Sequence, residues 1–350
     1  MVRSKSEQEI NHRKQHVLNH MIRGYIQSGV PVGSKWISET SGLDVSPATI
    51  RNDLGELERD GFLTQVHLSS GRIPTDKGYR AYVDQLGLNS PLQSETVDRM
   101  EGIQWVGRDV RSILSQVTEL MGGLVDYTTI VVLPDVYRDT LKLAHLILVE
   151  IDVVLVVLMN SLGVNQEFLV RIQDKVNQDD LNRISKLLTD KLSGRPTTVL
   201  DPEMVSELAA DLPNYRDILF KVTSEITQLK RHNAGSGRML SKGFSNMIRL
   251  PEFRDLELTQ KVLSVLEETK AMVSVMTEFL AHKNATVLIG EEQPIDQLKD
   301  TSLVVSPFSV DASPAGVIGV LGPRRMDYHR VIPIVESISN RVSEYLNSHS

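Results

Sequence analysis

A chain of 350 residues with 41% hydrophobic and 24% charged side chains has the composition of a globular protein of two or three domains. No run of about 18 apolar residues occurs and the opening MVRSKSEQEI lacks a signal peptide's apolar stretch, which argues against a membrane span or a secreted product. The lack of cysteine removes disulfides and thiolate metal sites and fits a cytoplasmic protein, while the net charge of −7 hides a first segment (1–85) with 11 Lys+Arg against 10 Asp+Glu.

In chain order, INHRKQHVLNHMIRGYIQSG places Val17, Leu18, Met21, Ile22, Tyr25 and Ile26 on one helical face and His12, Arg13, His16, His20 and Arg23 on the other, with Gly29 as the stop. A short second helix is expected from Ser34, as its N-cap, to Gly42, and it carries Lys35. After a brief turn, Ser46 and Pro47 form a strong helix start. Ile50, Leu54 and Leu57 then point inward and Gly61 closes the helix. Two helices joined by a tight turn, the second well capped, predict a helix-turn-helix. The outward side of the second helix holds Ala48, Asn52, Gly55 and Arg59, flanked by Thr49 and Arg51. Asn pairs bidentately with adenine, and Arg with guanine or a phosphate. FLTQVHLSSGRIPT reads as a hairpin with Ser70 and Arg72 at its tip, a wing that reaches phosphate or minor groove.

The candidate DNA-binding residues are therefore Ser46, Ala48, Thr49, Arg51, Asn52 and Arg59 on the recognition helix, Ser70 and Arg72 on the wing, and Arg13 and Lys35 on the first two helices. Glu56, Glu58 and Asp60 oppose this reading, since a protein-binding surface helix would carry them equally well. Histidines at 12, 16 and 20 have metal-ligand spacing, but no carboxylate or thiolate accompanies them, so no metal is assigned.

Beyond residue 87 a linker and connecting helix are expected over 88–125, with Val106, Val110, Ile113, Val117 and Leu120 at helical spacing. The runs TTIVVLP, LAHLILVEI, DVVLVVLMN and NQEFLVRI predict strands of a buried sheet, and 179–194 an amphipathic helix. A helix-rich block follows over 195–282, and strands return at ATVLIGEE, TSLVVSPF and GVIGVLGP before a last helix. Strands, then helices, then strands suggest an α+β domain interrupted by an insertion. Neither a G-x-x-x-x-G-K-[ST] loop nor an H-E-x-x-H motif is present, which argues against a nucleotide-hydrolysing or zinc-protease enzyme.

VSPATIRNDLGELERDGFL, SSGRIPTDKGYRAYVD, RLPEF, VLIGEE and GVIGVLGPRRMDYHRVIPIVE together resemble the bacterial heat-inducible transcription repressors of the HrcA family, from about residue 10 to 346. The resemblance implies an α+β multidomain chain: a winged helix-turn-helix (1–87), a connecting segment (88–125), a GAF-like domain in two parts (126–194 and 283–350) and a helix-rich inserted dimerisation domain (195–282). It further implies a non-enzymatic homodimer without cofactor that binds double-stranded DNA at the inverted repeat CIRCE of chaperone operons. Heat relieves repression, and a chaperonin of the GroEL type modulates it. The alternative is a transcription factor whose 127–345 region senses a small ligand or a metal.

Overall fold

A computed structural model of the chain describes residues 12–66, 71–86, 105, 110–134, 141–160, 165–172, 176–194, 202–233, 237–310 and 313–348. The N-terminal unit runs α1 (His12–Ser28), α2 (Ser34–Thr40), α3 (Pro47–Arg59), β1 (Leu63–Gln65), β2 (Arg72–Pro74) and α4 (Asp76–Leu86). Then come α5 (Val110–Leu124), β3 (Thr128–Leu133), β4 (Leu141–Glu150), β5 (Val153–Asn160), β6 (Asn165–Arg171), α6 (Gln178–Leu192), α7 (Pro202–Asp211) and α8 (Arg216–Asn233). The chain closes with β7 (Arg238–Lys242), α9 (Phe244–Met247), α10 (Leu256–Glu267), α11 (Thr269–Thr277), β8 (Thr286–Ile289), β9 (Thr301–Val310), β10 (Ser313–Pro323) and α12 (Tyr328–Ser348).

The three-to-four-residue apolar spacing of α1 is realised as a core face: Val17, Leu18, Met21 and Ile22 are fully buried against Ile37 of α2 and Ile50, Leu54 and Leu57 of α3. Strands β1 and β2 pair antiparallel, with Gln65 opposite Arg72, as the root of the expected hairpin. Ser34 is not the N-cap of α2; Gly33 holds that position and makes no side-chain cap, so Ser34 is the first helical residue.

Five strands form one antiparallel sheet in the order β7-β3-β10-β9-β8. Strand β3 is buried on both faces, as its unbroken β-branched run predicts. Val131, Val304, Ile318 and Val320 face α5 and α12. Ile130, Val132, Leu303, Val305 and Val317 face the helices of 244–281, where Met247, Met272, Met276 and Leu280 fill the core.

Strands β4, β5 and β6 form a separate sheet of three, packed by Ala144, Leu146, Val154, Val156, Leu158 and Val170 against α6, α7 and α8. This corrects the expected division of the chain. The four runs of 127–172 were expected in one sheet, but β3 pairs with β7 and β10, while among the described residues β4–β6 form ladders with one another, apart from a single bridge from Leu141 to Ser193. The excursion with its own core is thus 141–233, and 238–281 belongs to the five-stranded sheet rather than to an insertion. The outer edge of β4 is closed by α6: Thr189, Ser185 and Gln178 accept from the backbone N–H groups of Ala144, Leu146 and Leu148. Among the described residues no helix is long and apolar enough to cross a membrane.

Candidate nucleic-acid interface

The N-terminus of α3 is built as its sequence prescribes. Ser46 is extended and its hydroxyl accepts from the Thr49 N–H at 3.2 Å, with Pro47 in the first turn. Such a cap stabilises a helix by about 1 kcal/mol. The inward residues are locked, so the outward face is set: Ala48, Arg51, Asn52 and Arg59 are exposed. Thr49 is half-buried, and its hydroxyl lies 3.0 Å from that of Ser46, so both hydroxyls serve the cap. Arg59 turns back along its own helix toward the Gly55 carbonyl (3.4 Å) and Glu56 (3.9 Å). Lys35 is exposed on α2, 4.0 Å from Glu39. Helix α3 therefore offers a cap with free approach, a small residue, an arginine and an asparagine on one surface, which are the groups that read a major groove.

Two expected DNA contacts are used otherwise. Arg13 donates to both carboxylate oxygens of Asp53 at 2.9 and 2.8 Å, and the Asp53 side chain is only 4% exposed. Asp53 sits on the inward side of α3, so this pair ties α1 to α3. Its hydrogen bonds and charge push the Arg13 guanidinium further above its ordinary value. Arg72 stands in β2, not at the tip, and donates to Glu58 at 2.9 Å with its side chain 17% exposed. Its backbone also exchanges two 2.9 Å hydrogen bonds with Val32. Gly71 allows that approach, because a Cβ there would lie 2.5 Å from the Val32 carbonyl carbon. Arg72 anchors the wing root, and Glu58, which counted against DNA in the sequence, is its partner. Ser70 and the rest of the tip, 67–70, lie outside the described residues.

The histidine face of α1 also has a structural occupation. His16 bonds the Ser41 carbonyl at 3.0 Å and His20 the Thr40 hydroxyl at 2.7 Å, while His20 stacks on Trp36 at 5.0 Å. These contacts bind the end of α2 to α1. Burial, then the neighbouring His16 and Arg23 charges, lowers the His20 pKa below its ordinary value. Among the described residues no group of three or more His, Asp or Glu is arranged to hold a metal ion.

Sequence reasoning missed a set of contacts between this unit and the five-stranded sheet: Arg80 with Glu292, Asp76 with Arg324, and the end of α1 with Arg325. The three arginines lie inside KGYR and GPRRMDY, yet local spacing carries no signal for partners 212, 248 and 299 positions away.

Comparison with known proteins fits this geometry. Residues 111–332 match the family described as HrcA protein C terminal domain, and residues 40–69 match a DeoR-like helix-turn-helix domain. The heat-inducible transcription repressor HrcA of Natranaerobius thermophilus is 33% identical over 97% of this chain and 97% of its own. That of Moorella thermoacetica is 33% identical over 96% of this chain and 98% of its own. A crystal structure described only as a hypothetical protein superposes with a TM-score of 0.68 at 25% identity, over 98% of this chain and all of its own. A helix-turn-helix with an open reading face, joined to a matching C-terminal region, places the chain in the HrcA family of heat-inducible transcription repressors, DNA-binding regulators rather than enzymes.

Proposed function

We propose that this repressor works as a homodimer in which two winged helices read the halves of an inverted-repeat operator of the CIRCE type. The observation that carries the reading is the surface of α3, where Arg51 and Asn52 are exposed above a fully buried face of Ile50, Leu54 and Leu57. Arg51, Asn52 and Ala48 are assigned to base edges, and Lys35, Arg59 and the N-terminal turn of α3 at Ser46 and Thr49 to phosphates. Arg13 and Arg72 hold the module together beneath them.

The dimer reading has its own support. Leu143, Ile147, Val149 and Leu169 are exposed on the outer face of the three-stranded sheet, with Ile147 and Leu169 both opposite Leu155. These apolar side chains, interrupted by His145 and Glu167, form an exposed patch of the kind that marks an association surface. Because α6 blocks the β4 edge, a second copy meets the sheet at its exposed face rather than at that edge. The five-stranded sheet with helices on both faces supports the GAF-like assignment. A GroEL-type chaperonin is the proposed modulator, and cytoplasmic location follows from the function.

Fluorescence anisotropy on an inverted-repeat duplex and on its scramble, across a salt series, tests the reading. Wild type is expected to prefer the repeat by about a thousandfold or more, with a log–log salt slope of about −0.9 per phosphate contact. Asn52→Ala is expected to lose about 1–3 kcal/mol on the repeat and far less on the scramble. Equal losses on both duplexes defeat the base-reading role. Weak, equal binding by wild type that recovers on adding chaperonin identifies the chaperonin as required.

A further inference from the structure

A surface that reads two half-sites at a fixed separation has to be held in a fixed orientation. Three arginine contacts join the winged unit to the sheet unit in one such orientation. Arg325 donates to the Ile26 carbonyl at 2.7 Å, in the last turn of α1, and also to both carboxylate oxygens of Glu252, the more distant at 3.3 Å. A cation there also meets the negative end of the α1 dipole. Arg324 donates to Asp76 at 3.2 Å, at the start of α4, and reaches Asp300 with its other nitrogen. From the opposite side, Arg80 of α4 donates to the Val287 carbonyl at 2.6 Å and to Glu292, with the Nε bond at 2.8 Å.

These contacts grip two different helices of the winged unit, at α1 and twice along α4, and so restrict rotation as well as separation. Backbone shape serves the same end. Gly290 takes φ +55°, and a Cβ there would fall 2.0 Å from the Asp76 carboxylate, which accepts from the Glu291 N–H at 3.1 Å. Tyr328 holds the arginine turn by donating to the Arg324 carbonyl at 2.7 Å, and its ring packs on Tyr79 at 5.9 Å. Beside Arg80 an open pocket of about 310 Å³ lies between α4 and the β8–α12 side, lined by Val83, Asp84, Thr286, Val287 and Ile332. The arginine contacts add direction to an apolar seam that already joins the two units through Tyr79 and Tyr328.

We propose that Arg324, Arg325 and Arg80 are positioning residues for operator recognition: by clamping the winged helix to the sheet unit they set the half-site spacing the dimer accepts. This rests on the dimeric reading above. None of the three touches DNA in this scheme, so their loss changes the geometry of reading and leaves the reading of one half-site intact.

The test compares a single half-site, the full inverted repeat, and the repeat with five base pairs added to its spacer. That addition turns one half by about half a helical turn. Wild type is expected to bind the altered spacer about 100-fold more weakly than the parent repeat, since joined sites contribute avidity on the order of 10²–10⁴ only when both engage. Arg324→Gln combined with Arg325→Gln, and separately Arg80→Gln, should keep half-site affinity and bind the parent repeat about tenfold more weakly. Their two spacers should differ by less than about threefold. Variants with a spacer dependence as steep as wild type overturn the proposal, and so does half-site binding that falls in step with operator binding. Should the double variant prove unfolded by circular dichroism, Asp76→Asn, which weakens the Arg324 contact from the α4 side, takes its place and is judged by the same two criteria. A wild type that is monomeric by light scattering, or indifferent to spacing, removes the dimeric reading itself.

Discussion

Asp53 lies midway along α3 with its carboxylate enclosed, and Arg13 reaches it from α1 with two hydrogen bonds. From sequence, Arg13 belongs to a basic outer face and reads as a phosphate contact; in the fold it neutralises a buried charge. Arg13→Ala leaves Asp53 buried without its partner, a change that destabilises strongly. The expected outcome is a lower melting temperature in differential scanning calorimetry, with the repeat-to-scramble affinity ratio of the folded variant unchanged. A reduced ratio at an unchanged melting temperature would return Arg13 to the DNA surface. The same distinction separates the placements that were legible from those that were not. The outward position of Arg51 and Asn52 was readable because the 3.6-residue period fixes which side of a helix faces out. Arg13 and Arg72 were not, because their acidic partners lie 40 and 14 positions away and no local period announces them.

At the scale of elements, most helices and strands follow from their residues. The Ser-Pro start of α3, the alternating apolar stripe of α6 and the unbroken apolar run of β3 each predict what forms. Sheet membership does not follow, because pairing partners are chosen by tertiary contacts. In β4, both Ala144, Leu146 and Leu148 on one side and Leu143, Ile147 and Val149 on the other are apolar, so the strand reads as doubly buried although only one side is covered. The uncovered side is where the dimer reading is open to direct test. Ile147→Asp with Leu169→Asp places charge on that face without touching the inner core. The expected result is a shift from dimer to monomer in light scattering with the melting temperature held, and loss of the advantage of a full repeat over a half-site. An unchanged dimer would move the association surface to another part of the chain.

Across the whole molecule, the winged helix and the five-stranded sheet share one continuous core, which runs from Val17 through Tyr79 to Tyr328 and Val342. The 141–233 unit keeps a core of its own. The order of elements was readable and suggested an interruption; its limits were not, because they depend on β3 finding β7 and β10 about 110 and 190 residues later. That pairing has a consequence for how the protein is composed. Leu133 and Arg238 stand opposite each other in the β3–β7 ladder, so everything between them leaves and returns through a single rung. Opposed residues of antiparallel strands are about 5 Å apart, a gap that a two-residue Asn-Gly turn closes. Replacing 134–237 by such a turn should leave a folded, monomeric chain that binds one half-site as the full protein does and draws no gain from a second; failure to fold would show that the excursion supports the sheet. On the dimeric reading, the surface that pairs two copies sits in the bend of a hairpin, apart from the helix-turn-helix.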